Sequence, residues 1–121
     1  MLYIKIDIIV TEWSIVILGS AESEIKMLPA DMQARFVHIG DLLAAFGPYR
    51  VGMPHVRPLR DKLWEMRLHG RAGIARAIYF MAERRRIVVV RAYVKKTAAA
   101  PSREIALARR RMREFQNGED A

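Results

Sequence analysis

The chain contains no cysteine among its 121 residues. This absence excludes disulfide bonds, thiolate metal ligands and cysteine nucleophiles. Histidine is scarce too, because His38, His55 and His69 are scattered and no carboxylate pair lies near them at metal-ligand spacing. A glycine-rich phosphate loop between a strand and a helix is also missing, since Gly70 and Gly73 fall in a predicted hairpin turn. We therefore expect neither a metal ion nor a cofactor.

Long uninterrupted apolar runs are also missing. The most apolar stretch, residues 1–18, contains Lys5, Asp7 and Glu12, whereas a membrane helix needs roughly 20 apolar residues with few charges. A signal peptide would place its positive charge before a clean apolar segment. The sequence therefore predicts a cytoplasmic protein without a membrane partner, folded as a single domain over residues 1–121.

Basic residues outnumber acidic residues by 21 to 13, which gives a net charge of +8 and a pI near 10.4. The excess lies in one region: residues 57–113 hold seventeen lysines and arginines against four acidic residues, whereas residues 1–56 have a net charge of −2. A solvated basic surface is the simplest interpretation. The uneven distribution favours a binding surface for a polyanion, which can be nucleic acid, an acidic protein or an anionic membrane.

The first half of the chain predicts a strand followed by two helices. Residues 13–18 are β-rich, with residues 1–12 as an N-terminal extension or extra strand. Ser20 is suited to cap the first helix, and Pro29 suits the first turn of the second helix. The second helix has an apolar stripe at helical spacing, formed by Phe36, Ile39, Leu43 and Phe46. We expect this helical hairpin to cover one face of a sheet.

The second half predicts an antiparallel three-stranded meander and a C-terminal helix. Residues 48–61 contain three prolines and predict a loop. Strand-like runs follow at residues 63–68, 74–81 and 86–93. Their short connections suit hairpins. The last helix is expected from Ser102 to about Gln116, with residues 117–121 as a frayed tail. The complete order predicts an α+β fold.

The meander carries the candidate chemistry. Neighbouring antiparallel strands can bring side chains to one patch, and the candidates are Arg67, Arg76, Arg91, Tyr93, Lys95 and Lys96. Such a patch can hold an RNA backbone. It can also stabilise the charge that develops when a ribose 2′-hydroxyl attacks the adjacent phosphate, a reaction that requires no nucleophile from the protein. Proton transfer would then fall to Lys95 or Tyr93, with a pKa lowered by neighbouring cations.

Simpler interpretations of several residues remain open. Tyr93 alternates with apolar neighbours and suits a core position equally well. Glu65 is placed to form an ion pair with Arg67 on the same strand. The arginines at 84–86 predict a solvated hairpin tip that can touch RNA, and those at 109–111 predict a solvated helix face.

Three segments of the second half carry a recognisable pattern. The first is Lys62-Leu63-Trp64-Glu65-Met66-Arg67, the second is Arg76-Ala77-Ile78-Tyr79-Phe80, and the third comprises residues 87–97 with 101–111. In this order they resemble the strand L-x-x-G-L-x-E-L-R, the strand R-x-x-Y-F, and the ending I-x-L-L-H-x-F-x-K-K-T with P-x-x-E-I-x-x-A-x-x-R. These motifs belong to phage-derived HigB-like toxins of the RelE/ParE superfamily. The ending is the most specific part of the resemblance.

The resemblance implies a RelE-like fold of the microbial-RNase type and a type II toxin that cleaves mRNA on the ribosome. Its partners would be mRNA, the ribosome with its rRNA, and a helix-turn-helix antitoxin of the HigA kind. By motif, Arg67 and Arg76 would hold the scissile phosphate. Lys95 would be a catalytic or phosphate-binding cation. Tyr93 remains a catalytic candidate from the strand pattern and not from the resemblance.

The chain departs from the family pattern at two candidate positions. Arg91 stands where the family often has histidine, and Tyr93 replaces phenylalanine, so the general acid and base are unassigned. The remaining cations are expected to bind RNA; they are Lys62, Arg91, Lys96, Arg84, Arg85 and Arg109. The alternative is a non-catalytic basic module that binds nucleic acid or an antitoxin, as a decayed toxin would.

Overall fold

The computed structural model describes residues 12–96 and 101–120. In chain order the elements are β1 (Ser14–Ile17), α1 (Gly19–Lys26), α2 (Ala30–Phe46), α3 (Pro48–Val51), β2 (Val56–Pro58), β3 (Trp64–Gly70), β4 (Gly73–Ala82), β5 (Arg86–Val94) and α4 (Ser102–Asp120). Apart from Glu12, the predicted N-terminal extension lies outside the described residues.

The five strands form one mixed sheet in the order β1-β5-β4-β3-β2. β1 pairs in parallel with β5, whereas β2, β3, β4 and β5 are antiparallel neighbours. The strand, helical hairpin, antiparallel meander and C-terminal helix confirm the predicted α+β architecture.

Helices cover both faces of the sheet. The buried face that packs against α1 and α2 includes Met66, Ala77 and Tyr79, and it meets the predicted α2 stripe at Phe36, Ile39 and Leu43. Phe46, at the end of that stripe, is exposed. On the opposite face α4 packs its own stripe against the sheet, through Ile105, Ala108 and Met112. Strand alternation therefore separates two cores.

The predicted loop at residues 48–61 contains two short elements. α3 forms one helical turn directly after Gly47, the residue that follows the end of α2. β2 then pairs with β3. The sequence did not predict β2 because this edge strand has only three residues and ends in Pro58. Proline is tolerated at sheet edges.

Two helix boundaries differ from the prediction. α1 follows Leu18 at the capping position, so Ser20 lies inside the first turn and does not cap the helix. α4 continues through Asn117 and Gly118 to Asp120. A glycine costs a helix only about 1 kcal/mol, which is too little to end it here. Among the described helices, none combines the length and the apolarity needed to cross a membrane.

Candidate active site

Four strands bring charged and polar side chains to the sheet face on which α4 packs. The strand register places Arg57 opposite Glu65 and Arg67 opposite Arg76. Arg76 in turn lies opposite Tyr93. Paired residues on neighbouring strands share a face, with Cβ atoms about 4.5–5.5 Å apart. The prediction that Arg67, Arg76 and Tyr93 converge is consistent with this register.

A β-bulge interrupts the pairing of β4 with β5. Ile78 pairs with Arg91, and Tyr79 pairs with Val89. Val90 is therefore an extra residue on β5. Such an insertion changes which face the following side chains occupy.

The effect of the bulge is visible in the two cores. Before the bulge, even-numbered residues of β5 such as Val88 face α4. After the bulge, odd-numbered residues such as Tyr93 face α4. Lys95 follows Tyr93 at the same parity, and its backbone N–H donates to the carbonyl of Ile74 at 2.8 Å. The bulge therefore turns Tyr93 and Lys95 toward the arginines of β3 and β4.

Glu65 is the carboxylate that lies among these arginine side chains. Its side chain is fully buried. One carboxylate oxygen accepts from Arg57 Nε at 2.6 Å, and the other lies 3.3 Å from Arg76 Nε. The predicted ion pair between Glu65 and Arg67 is wrong. Residues two apart on one strand are separated by about 6.6 Å, so arginines on the two neighbouring strands lie closer to the carboxylate.

The predicted catalytic arginines lie at different depths. Arg76 is only 1% exposed, so a ligand reaches it only if the side chains above it move. Arg67 is half-buried, and its Nε has no hydrogen-bond partner among the described residues. A buried donor without a partner is costly. Arg67 is partly exposed, so it is the predicted catalytic arginine that a ligand can reach.

The surroundings shift the pKa values of the two proton-transfer candidates in opposite directions. Desolvation and then the positive charges of Arg76 and Arg67 lower the pKa of Lys95 from its ordinary value of 10.5. Burial raises the pKa of Tyr93 above 10.0 and outweighs the nearby Arg76 guanidinium. The expected lowering of the pKa is therefore wrong for Tyr93, because its hydroxyl lies in the α4-side core.

We call this group the Glu65 cluster; its members are Arg57, Glu65, Arg67, Arg76, Tyr93 and Lys95. Four cationic side chains and one carboxylate leave an excess of three positive charges when Lys95 is protonated. An open cleft of about 250 Å³ adjoins the cluster between β5 and the start of α4. Tyr93, Lys96 and Arg103 are among its lining residues. Such a surface suits an anionic ligand.

Arg91 belongs to a second group of charges, beside the part of β5 that extends beyond its pairing with β1. Its Nε donates to Glu104 at 2.7 Å, and its Nη1 donates to Glu24 at 2.6 Å. Arg111 Nη1 donates to Glu24 at 2.9 Å. We call Glu24, Arg91, Glu104 and Arg111 the edge network. Two carboxylates balance two arginines there, so little donor capacity is left for RNA, and an RNA contact by Arg91 stays a prediction.

The edge network also occupies backbone groups of β5 that have no strand partner. Arg111 Nη1 donates to the carbonyl of Val90 at 2.9 Å, and the N–H of Ala92 donates to Glu24 at 3.2 Å. Burial opposes ionisation of Glu24, but the hydrogen bonds from Arg111, Ala92 and Arg91 outweigh it and lower its pKa below 4.5. The network thus protects a sheet edge that would otherwise expose unpaired groups.

Three of the predicted RNA-binding cations lie in turns with strained backbones. Lys62, Arg84 and Arg85 have φ values of 66°, 63° and 53°. Positive φ costs a residue other than glycine roughly 1–2 kcal/mol. Arg84 and Arg85 join β4 to β5, about 20 Å along β4 from Arg76. The structure therefore does not bring this hairpin tip to the Glu65 cluster.

The two remaining predicted RNA contacts, Arg109 and Lys96, differ in their surroundings. Arg109 pairs with Asp61 and connects α4 to the turn between β2 and β3. Lys96 is exposed and lines the cleft beside Tyr93. Lys96 is therefore the one that can meet a ligand bound at the Glu65 cluster.

Sequence reasoning missed Arg57 and His69 as members of this face. The prolines around Arg57 predict a loop, although Arg57 lies on β2 beside Glu65. His69 has no candidate partner next to it in the sequence, yet it is exposed and follows Arg67 by two residues on β3. Its cross-strand partner is Ile74, which also receives the Lys95 N–H. The period of two along β3 was the signal that could have found His69.

The fold is that of RelE toxins. It matches the Escherichia coli toxin RelE, an arginine-to-alanine double mutant in the free state, with a TM-score of 0.60 at 15% identity over 83% of this chain and 97% of that one. The archaeal RelE–RelB complex of Pyrococcus horikoshii matches with a TM-score of 0.54 at 21% identity over 72% and 99%. The toxin–antitoxin complex RelBE2 of Mycobacterium tuberculosis matches with a TM-score of 0.51 at 18% identity over 69% and 99%.

The family match is more specific than the structural matches. The family described as phage-derived protein Gp49-like matches residues 23–113, which is three quarters of the chain. The chain therefore belongs to the phage-derived Gp49-like family. Among curated proteins, none matches the sequence. The family match confirms the predicted phage-derived family, and the structural match confirms the predicted RelE-like fold.

Proposed function

We propose that this protein is the toxin of a type II toxin–antitoxin system and that it cleaves mRNA on the ribosome without a metal ion. The family, the RelE toxin fold and the Glu65 cluster support this proposal. The single observation that carries it is the convergence of Arg67 and Lys95 on one sheet face above a buried carboxylate and a buried arginine. The expected location is the cytoplasm.

The proposed chemistry uses the substrate's own nucleophile. Arg67 and protonated Lys95 bind the oxygens of the scissile phosphate. The ribose 2′-oxygen attacks phosphorus, loses its proton to a base, and forms a 2′,3′-cyclic phosphate as the bond to the 5′-oxygen breaks. The leaving 5′-oxygen takes up a proton. Cations fixed near the phosphate stabilise the charge of the pentacoordinate transition state, and each such donor is commonly worth about 10²–10³ in rate.

The pKa shifts restrict the roles in proton transfer. Tyr93 remains protonated because its pKa is raised, so it can donate a proton but not accept one at neutral pH. Lys95 is easier to deprotonate than an ordinary lysine, yet it serves as a cation in its protonated form. We assign the role of proton acceptor to His69, which is exposed on the same face. His69→Gln should lower the cleavage rate about 10²-fold with unchanged thermal stability; an unchanged rate would exclude His69 as the base.

The proposed partners follow from charge and from relatives. The RelBE2 and RelE–RelB structures contain an antitoxin with the toxin, and we propose a helix-turn-helix antitoxin of the HigA kind for this chain. Exposed cations outside the Glu65 cluster would contact rRNA or mRNA backbone. These are Lys62, Arg84, Arg85 and Lys96, with Arg91 and Arg109 as weaker candidates because carboxylates engage them.

The test compares three proteins induced in bacteria: wild type, Arg67→Ala, and Arg35→Ala as a control of equal charge change on the exposed side of α2. We expect wild type and the control to arrest growth and to produce codon-phased cuts in translated messages, mapped by primer extension. Arg67→Ala should produce neither while remaining folded by circular dichroism. Folded wild-type protein that causes neither arrest nor cuts would refute the proposal.

One observation favours the non-catalytic alternative. Arg76, which the family resemblance assigns to the scissile phosphate, is almost fully buried against Glu65. A module that only binds RNA would show strong salt dependence of binding. Salt-dependent binding by wild type without any cleavage of ribosome-bound mRNA would establish this alternative.

A further inference from the structure

We infer that Arg57 is an additional phosphate-contacting residue and that buried Glu65 is the positioning residue that holds it. This inference rests on the proposed nuclease function and adds two residues to its site. Neither residue emerged from the spacing of cations along the meander, because Arg57 precedes the meander and Glu65 carries the wrong charge for a phosphate.

Arg57 has the geometry of a held but accessible guanidinium. Its Nε donates to Glu65 at 2.6 Å, and its side chain is 38% exposed. Among the described residues, Glu65 is the only hydrogen-bonding partner of this side chain. One donor of the planar guanidinium is thus used internally, and its terminal nitrogens remain for a ligand. A guanidinium offers five donors in a fixed geometry, so using one does not exhaust it.

Glu65 is a costly residue if it serves stability alone. Removing a carboxylate from water costs several kcal/mol, and well-packed apolar residues often replace buried ion pairs without loss of stability. Glu65 is fully buried and has two arginines but supplies a single negative charge. Its physical effect is to let Arg57 and Arg76 lie near Arg67 and Lys95 without full mutual repulsion.

The two arginines that Glu65 holds differ in access. Arg76 is almost completely buried, whereas the side chain of Arg57 is partly exposed to solvent. Arg57 is therefore the group through which Glu65 acts on a ligand. Fixing an arginine before binding reduces the entropy lost when the complex forms, and a preorganised donor is the kind that stabilises a transition state.

Lys95 provides a marker of this electrostatic coupling. Besides desolvation, the charges that act on its pKa are Arg76, Arg67 and Arg57, which lower it, and Glu65, which raises it. Removal of the Arg57 charge should therefore raise the pKa of Lys95, and removal of the Glu65 charge should lower it. If protonated Lys95 is needed for cleavage, the alkaline limb of the pH–rate profile moves with this pKa.

The experiment measures single-turnover cleavage of mRNA on programmed ribosomes for wild type, Arg57→Ala, Arg57→Lys, Glu65→Gln and the double variant. Arg35→Ala is the charge-matched control. We expect Arg57→Ala to lower the rate by about 10²-fold in protein that still folds, with a lower melting temperature because buried Glu65 loses one of its two cations. Arg57→Lys should recover only part of the loss, since lysine lacks the planar fork. Glu65→Gln should be deleterious alone but should add little in the Arg57→Ala background.

Each outcome decides the inference. Non-additive rate losses, with the alkaline limb moved up in Arg57→Ala and down in Glu65→Gln, support it. Wild-type rates in folded Arg57→Ala, or additive losses in the double variant, overturn it. If Glu65→Gln fails to fold, the rates and pH profiles of Arg57→Ala and Arg57→Lys still decide the role of Arg57. Absence of cleavage by wild type would instead refute the proposed nuclease function itself.

Discussion

Two groups of arginines and carboxylates lie on the same sheet and differ mainly in charge balance. The edge network sets Arg91 and Arg111 against Glu24 and Glu104. The Glu65 cluster sets four cations against one carboxylate. A balanced network consumes its own donors and stabilises the fold, whereas an unbalanced one keeps donors for an external anion. Residue type alone therefore does not separate a structural arginine from a functional one.

The largest expected effect belongs to Lys95. Lys95→Met should lower cleavage about 10²–10³-fold, because it removes a cation from the phosphate site. Lys95→Arg should retain part of the rate. It should also remove the alkaline limb that wild type shows below pH 10.5, since the lowered pKa of Lys95 sets that limb and arginine stays protonated. The measurement is the pH–rate profile; a wild-type rate that increases with pH through this range would show that neutral Lys95 is the active form.

Arg91→Ala tests whether the edge network stabilises the fold. The substitution leaves Glu24 and Glu104 with less compensation in a partly buried site, so it should cost about 2 kcal/mol of unfolding free energy. Urea denaturation measures this loss, with Arg35→Ala expected within about 0.5 kcal/mol of wild type. Unchanged stability combined with weaker RNA binding would move Arg91 from the edge network to the RNA-binding surface.

Glu24→Gln sharpens the comparison through pH. The folded-state pKa of Glu24 is lowered from 4.5, so its contribution to stability is present above pH 4.5 and disappears as pH falls through the folded value. Wild type should exceed the variant by about 1–2 kcal/mol at pH 7, and the difference should shrink in acid. Denaturation at pH 7 and pH 3 measures it; a constant difference would contradict the assigned role of the charge.

The smallest effect is expected at the β4–β5 turn. Arg84 has φ of 63°, so Arg84→Gly should stabilise the fold by about 0.5–1 kcal/mol. The same change should weaken RNA binding a few-fold and reduce its salt dependence by about one phosphate contact. A gain in stability without any change in RNA affinity would show that Arg84 is not an RNA contact.

The sequence predicted the elements that depend on local pattern. The three strand-like runs of the meander and the apolar stripe of α2 correspond to elements in the structure. The sequence did not predict β2 because a three-residue edge strand has too few residues to show a period. Ser20 was misplaced because its residue type suits a cap, whereas the neighbouring strand determines where the chain turns.

The sequence by itself determined that the protein is basic over residues 57–113 and that arginines and lysine lie on consecutive strands. Charge and side-chain alternation are local properties, so they can be read without a fold. Only the tertiary structure decided which cations lie close together. The bulge at Val90 reverses the faces of β5 and places Tyr93 and Lys95 on the face that carries Arg67 and Arg76. The pairing of β2 with β3 places Arg57 on Glu65. Both outcomes depend on hydrogen bonds between distant segments, which no period along the chain records.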